Sequence, residues 1–143
     1  MKINFRSSCP IASVLDLLGD KWSLLIIRDM LMIRKKTFKE IYASDEGIAT
    51  NTLSSRLKLL ESVKLITKRK LPTNKKENIY LLTDKAISLA PLIVETILWS
   101  DQYVRADNPA MFDLAERGLD ADKNVLIETV QKNYRAMRKE IIG

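Results

Sequence analysis

The chain has no histidine, and cysteine occurs once, at Cys9. The first absence removes the commonest general acid–base side chain and the commonest transition-metal ligand together. With one thiol per chain, a zinc site of the usual nitrogen and sulfur donors has no ligand set. An intrachain disulfide framework is equally excluded, and this cysteine usage fits a reducing cytoplasm. Glycine is scarce as well, at four residues. None falls in a phosphate-cradling GxGxxG or GxxxxGK[ST] pattern or in a GxSxG nucleophile elbow. Carboxylates are plentiful, but nothing in their spacing selects a catalytic pair. The expectation is a protein that is not an enzyme and uses no cofactor or metal. No apolar run approaches the roughly 20 residues of a bilayer-spanning helix. The N-terminus lacks an apolar signal core with a small-residue cleavage site, so neither a membrane span nor secretion is expected.

What the chain does have is an uneven positive charge. The net charge is +6, but residues 1–85 carry 17 Lys+Arg against 9 Asp+Glu, whereas residues 86–143 carry 7 against 9. Residues 34–76 alone hold 12 basic and 4 acidic side chains. A local excess of this size suggests a polyanionic partner, nucleic acid first among the candidates. A solvated basic face is the alternative that needs no partner. At 143 residues and 46% hydrophobic, the chain has the length of one domain, with an extra helical segment allowed, and enough apolar residues for a packed core.

The periodicity is mostly helical. Pro10 suits a first helical turn behind Ser8 or Cys9, and Ile11, Val14, Leu15 and Leu18 form a stripe that Gly19 ends. Asp20 is placed to cap the next helix. There Trp22, Leu24, Leu25, Ile26, Ile27, Met30 and Leu31 are apolar around much of the circumference, which marks the centre of the core. Thr37 heads a short helix with Phe38, Ile41 and Tyr42, and Ser44-Asp45-Glu46-Gly47 breaks it.

A further helix over residues 50–63 buries Leu53, Leu57 and Leu60. Its other face is unusual. Thr50, Asn51, Thr52, Ser54, Ser55, Arg56 and Lys58 precede any carboxylate, whereas a merely solvated helix mixes Glu with Lys. Short hydroxyl and amide side chains allow close approach and hydrogen-bond to phosphates or base edges. Two short helices, a glycine turn and this helix read as a helix-turn-helix.

After Leu65 and Ile66 the pattern turns to strand. Two β segments, residues 67–71 and 78–82, flank a polar basic tip over residues 72–76, giving a hairpin or wing. Arg69, Lys70, Asn74, Lys75 and Lys76 are the candidate backbone contacts. Lysine at such a tip also blunts an exposed strand edge. A helix from Thr83-Asp84 runs to Trp99, with Pro91 starting or kinking it. The last helix, residues 121–142, has a stripe of Val125, Leu126, Thr129, Val130, Asn133, Tyr134, Met137 and Ile141. Periodicity alone allows that stripe to pack on its own domain or on a second subunit.

These elements together resemble the HxlR-type winged helix-turn-helix regulators of bacteria, over residues 9–99. The matching residues are Cys9-Pro10, Leu17-Leu18-Gly19-Asp20-Lys21-Trp22, Leu25 to Leu31, Thr37-Phe38-Lys39-Glu40-Ile41 and Gly47-Ile48. They continue with Leu53-x-x-Arg56-Leu57-x-x-Leu60-Glu61, Leu65-Ile66, Tyr80-x-Leu82-Thr83 and Trp99. Three positions depart from the family pattern: Lys64 and Ala86 replace glycines, and Ile79 replaces a common acid. Lys64 then sits at an αL-like helix end, a strain of about 1 kcal/mol.

The resemblance implies a mainly α fold with a small β-hairpin. A winged helix-turn-helix domain at 1–100 is followed by a C-terminal helical extension at 101–143 that serves dimerisation. It implies a homodimer, joined through its N- and C-terminal helices, that binds a two-fold double-stranded DNA operator, mostly to repress. The competing functional class is a winged-helix protein-interaction module that does not read DNA. Cys9 stands where some relatives carry a redox or electrophile sensor. A helix N-terminus favours thiolate, and Lys2, Arg6 or Lys21 could assist. The alternative is a small buried packing residue. Any small-molecule effector is unspecified.

Overall fold

The computed structural model describes residues 3–142, so Lys2, one of the cations considered beside Cys9, lies outside the described residues. The chain forms two compact units, one ending at Ala86 and one starting at Ile87. The first contains α1 (Pro10–Leu18), α2 (Ser23–Met32), α3 (Phe38–Tyr42), α4 (Thr50–Ser62) and the hairpin β1 (Ile66–Leu71) and β2 (Asn74–Leu82). The single turn α5 (Asp84–Ile87) meets the boundary. The second unit holds α6 (Ala90–Tyr103), a 3-10 turn (Leu114–Arg117) and α7 (Lys123–Ile142).

Pro10 opens α1 as expected, with Cys9 at the N-cap position. Gly19 ends it, but at φ −79°, in the right-handed region, not in a left-handed C-cap. Glycine is needed there for closeness: a Cβ would collide with the Leu15 carbonyl. Asp20 then caps α2, its Oδ2 accepting from the amides of Trp22 at 3.0 Å and Ser23 at 2.9 Å. On α2, Ile26, Ile27, Met30 and Leu31 are buried, each contributing about 1.5–3 kcal/mol of apolar transfer.

The same helix buries a carboxylate, Asp29. Arg28 meets it at 2.7 Å and Lys35 at 3.3 Å. Arg28 also reaches Glu46 at 2.8 Å, so one guanidinium joins α2 to the turn before α4. A buried carboxylate left without these partners would be strongly destabilising.

Thr37 and Glu40 form the reciprocal capping box of α3: the Glu40 amide donates to Thr37 Oγ1 at 3.1 Å, and the Thr37 amide to Glu40 Oε1 at 3.0 Å. Gly47, at φ +75°, makes the sharp turn into α4, and Ile48 anchors that turn in the core. Leu53, Leu57 and Leu60 face inward from α4, joined by Leu59.

The hairpin root is buried through Leu65, Ile66, Ile79, Tyr80, Leu81 and Leu82. It is also tied back to the helices. Thr37 bridges Ile79, and the Tyr80 amide donates to the Lys36 carbonyl at 2.7 Å.

In the second unit, Pro91 lies in the first turn of α6 and starts that helix without kinking it. Helix α6 packs on α7, with Ala90, Ile93, Val94, Leu126 and Tyr134 buried. Lys123 pairs with Glu95 at 2.5 Å. Arg105 holds the following segment by bonding Asp101 and the carbonyls of Met111 and Phe112. Of the expected α7 stripe, Leu126 and Tyr134 are buried, but Val125, Thr129 and Asn133 are exposed. Among the described residues no helix is long and apolar enough to cross a membrane.

Candidate nucleic-acid interface

With its leucines turned inward, α4 presents Thr50, Asn51, Ser55 and Lys58 to solvent, with Thr52, Ser54 and Arg56 half-buried beside them. Its N-cap position is Ala49, which offers no side-chain cap, and the first turn has no acid. The first turn of α4 is thus a positive helix end with no side chain from the N-cap and no acid to offset it, which favours an anion nearby. Asn51 Oδ1 accepts from the Thr52 amide at 2.9 Å. That bond fixes the side chain and leaves its NH2 group to donate.

Arg56 divides its attention. Its Nη2 donates to Ser55 Oγ at 3.4 Å, and its Nη1 lies 3.9 Å from Asp20 Oδ1 in the turn between α1 and α2. Burial raises the Asp20 carboxyl, but hydrogen bonds from Ser23 and the Trp22 amide, with the charge of Arg56, outweigh it and hold the pKa below the usual carboxylate range. Asp20 is thus an anion beside the basic face.

The wing differs from its expected outline. The turn is only Pro72-Thr73, and Asn74, Lys75 and Lys76 belong to β2, not to a loop. Leu71 pairs with Asn74 but Lys70 pairs with Asn78, so residues 75–77 bulge out of the ladder. A bulge bends and twists its strand, here exposing Lys75 and Lys76 near the tip. Asn74 serves that bulge: its Oδ1 accepts from the Lys76 amide at 3.2 Å, and its Nδ2 reaches Glu77 at 3.5 Å. Arg69 and Lys70 are exposed on β1.

Cys9 is exposed, which removes the reading of it as a residue buried within its own chain. Its amide donates to Ser7 Oγ at 3.2 Å, and its carbonyl accepts from the amide and hydroxyl of Ser13, both at 3.0 Å. Neither described cation is free for the thiol. Arg6 bonds Asp16 at 2.6 Å, and Lys21 lies over the Trp22 ring.

Sequence reasoning found the face of α4 and the basic wing but missed two supports. Arg56, next to Leu57, was open to pairing with an acid inside the domain, but which acid stayed hidden because Asp20 already had a local explanation as a cap. Lys85 Nζ, which donates to the Val63 carbonyl at 2.8 Å beyond the end of α4, gave no local signal at all.

Three helices, a fourth that turns a polar face outward, and a tethered basic hairpin define a winged helix-turn-helix protein. The family model of HxlR-like helix-turn-helix proteins matches residues 17–108, and the chain belongs to that family of transcriptional regulators. Among its relatives is BH0655, an HTH-type transcriptional regulator of Halalkalibacterium halodurans. That protein is 34% identical over 68% of this chain and 87% of its own length. The transcriptional regulator YodB of Bacillus subtilis, in its reduced form, superposes with a TM-score of 0.56. It is 33% identical and covers 68% of this chain and 95% of its own. YodB has also been solved quinone-bound and after diamide treatment. The redox regulator HypR, in its oxidised form, gives a TM-score of 0.55 at 25% identity over 66% of this chain and 96% of its own.

Proposed function

We propose that the protein is a cytoplasmic homodimeric repressor that reads a two-fold DNA operator through α4 and grips the backbone through its wing. The observation that carries this is the α4 face: a helix with buried leucines, an uncapped N-terminus and no carboxylate over its outward N-terminal turns. Asn51 and Ser55 read base edges, with Arg56 on a base or the phosphate beside it. Thr50, Thr52, Ser54 and Lys58 support them. Arg69, Lys70, Lys75 and Lys76 take phosphates, and Asn74 shapes the bulge that presents the last two.

Dimerisation rests on apolar side chains left in solvent. Phe5, Ile11, Val14 and Leu15 are exposed on and before α1. In the second unit Leu92, Trp99, Tyr103, Val125 and Ile142 are exposed likewise. Residues 1–100 form the DNA-binding part and 101–143 the dimerising extension. In a two-fold dimer the reading helices lie about 34 Å apart, one turn of duplex. The test is selection of duplexes from a random pool, followed by gel-shift titration. Enrichment of an inverted repeat bound at two chains per duplex is expected. Recovery of unrelated sequences at equal affinity would favour the protein-interaction module.

An exposed Cys9 at the head of α1 supports a second element, thiol sensing, as the redox-treated YodB forms suggest by analogy. A quinone ring carbon would form a bond to Sγ while the thiol proton passes to the quinone oxygen. Diamide would take two hydrogens from two thiols of separate molecules, leaving a disulfide. Loss of DNA binding after quinone treatment in the wild type, absent in Cys9→Ser, is the expected result.

A further inference from the structure

We propose that Asp20 is a specificity-determining positioning residue: it aims the Arg56 guanidinium from outside the reading helix and sets how well operator is told from other DNA. The inference rests on the DNA-reading role of α4 and deepens it. Asp20 cannot swing aside, because two backbone amides at 2.9 and 3.0 Å hold its Oδ2 at the head of α2. That leaves Oδ1 facing Arg56 at 3.9 Å. The separation is too long for a hydrogen bond, so Asp20 attracts the guanidinium without occupying its donors. Of the five N–H groups of arginine, those not directed at Ser55 stay available to a base edge or phosphate.

The site has a shape as well as a charge. Asp20, Trp22, Asn51, Thr52, Ser55 and Arg56 line one recess of about 340 Å³, so the elbow between α1 and α2 forms a wall beside the reading side chains. A fixed anion in that wall repels any phosphate that enters the recess in the wrong register. Specificity is gained by such repulsion as much as by attraction. The elbow also continues α1, whose first residue follows Cys9.

The experiment compares wild type, Asp20→Asn, Arg56→Gln and the double variant. Each is titrated on the duplex selected by wild type and on a scrambled duplex of equal length, at several salt concentrations. Asparagine caps a helix as well as aspartate, so the fold is retained and thermal melting checks this. Asp20→Asn is expected to bind scrambled DNA several-fold more tightly, with discrimination reduced about tenfold. Its salt slope on scrambled DNA steepens by about 0.9, as a released Arg56 neutralises one more phosphate. In the Arg56→Gln background the same change reduces discrimination much less, by only the part that direct repulsion of phosphate by the carboxylate supplies; an undiminished tenfold effect there overturns the positioning role. Undiminished discrimination in Asp20→Asn, beside a discriminating wild type, overturns this proposal alone. A wild type that prefers no duplex overturns the DNA-reading role and this proposal with it.

Discussion

The hydroxyl of Thr83 donates to the carbonyl of Lys64 at 2.7 Å, closing the end of the hairpin onto the end of α4. Lys64 is in the left-handed region at φ 64°, where a side chain costs about 1 kcal/mol. The chain tolerates this because its neighbours define the turn. The Leu65 amide bonds the Leu60 carbonyl at 2.9 Å, the Thr83 amide bonds the Leu65 carbonyl at 3.0 Å, and Lys85 takes the Val63 carbonyl. Lys64→Gly is therefore expected to stabilise the protein by up to about 1 kcal/mol, raising Tm by a few degrees. Thr83→Val should cost about 1–2 kcal/mol by orphaning the turn. Thermal unfolding of both variants checks the pair. A lower Tm for Lys64→Gly would show that the left-handed turn is unstrained.

Acid should loosen the link between α2 and the turn before α4. Hydrogen bonds from Arg28 and then from Ser44 hold the Glu46 carboxyl at about 2, against its ordinary 4.5. A pKa depressed on folding contributes stability that is complete above the unfolded value and fades as pH falls from 4.5 towards 2. Because Glu46 is well exposed, solvent screening limits the contribution to about 1 kcal/mol. Urea unfolding of wild type and Glu46→Gln should differ by that amount at pH 6 and converge through the acid window. A gap that persists unchanged at pH 2.5 would assign the effect to something other than this carboxylate.

The dimer prediction concerns α1. Leu15 is 53% exposed and Ile11 73%, so a charge at either position disturbs no core of the single chain. Leu15→Glu should leave the helical circular dichroism intact and shift sedimentation from dimer to monomer. DNA affinity should then fall by more than tenfold, because one half-site grips alone. A Leu15→Glu protein that sediments as the wild type does would remove α1 from the interface.

Legibility followed locality. The Thr37–Glu40 box, the Asp20 cap and the Leu53, Leu57, Leu60 stripe are each set by neighbours within four positions, and periodicity recovers them. The wing bulge depends on which residue of β2 faces Lys70, and pairing across a hairpin is not written in the spacing of lysines. The Arg28–Glu46 pair spans eighteen positions and the Asp20–Arg56 approach thirty-six; neither has a local pattern. Cys9 illustrates the same limit, since its exposure depends on what α1 lies against and not on the Cys-Pro pair. The face of α4 was legible for a different reason: a missing residue type, the carboxylate, is visible without any coordinates.

The most direct test of the account separates reading from gripping. Asn51→Ala and the double variant Lys75→Ala with Lys76→Ala are titrated by gel shift against the selected duplex and a scrambled one. The account predicts that Asn51→Ala loses about 1–3 kcal/mol on the selected duplex and little on the scrambled one. The lysine variant loses affinity on both alike, with a salt slope shallower by up to about 0.9 for each phosphate released. Equal losses on both duplexes for Asn51→Ala would contradict the assignment of α4 as the helix that reads sequence.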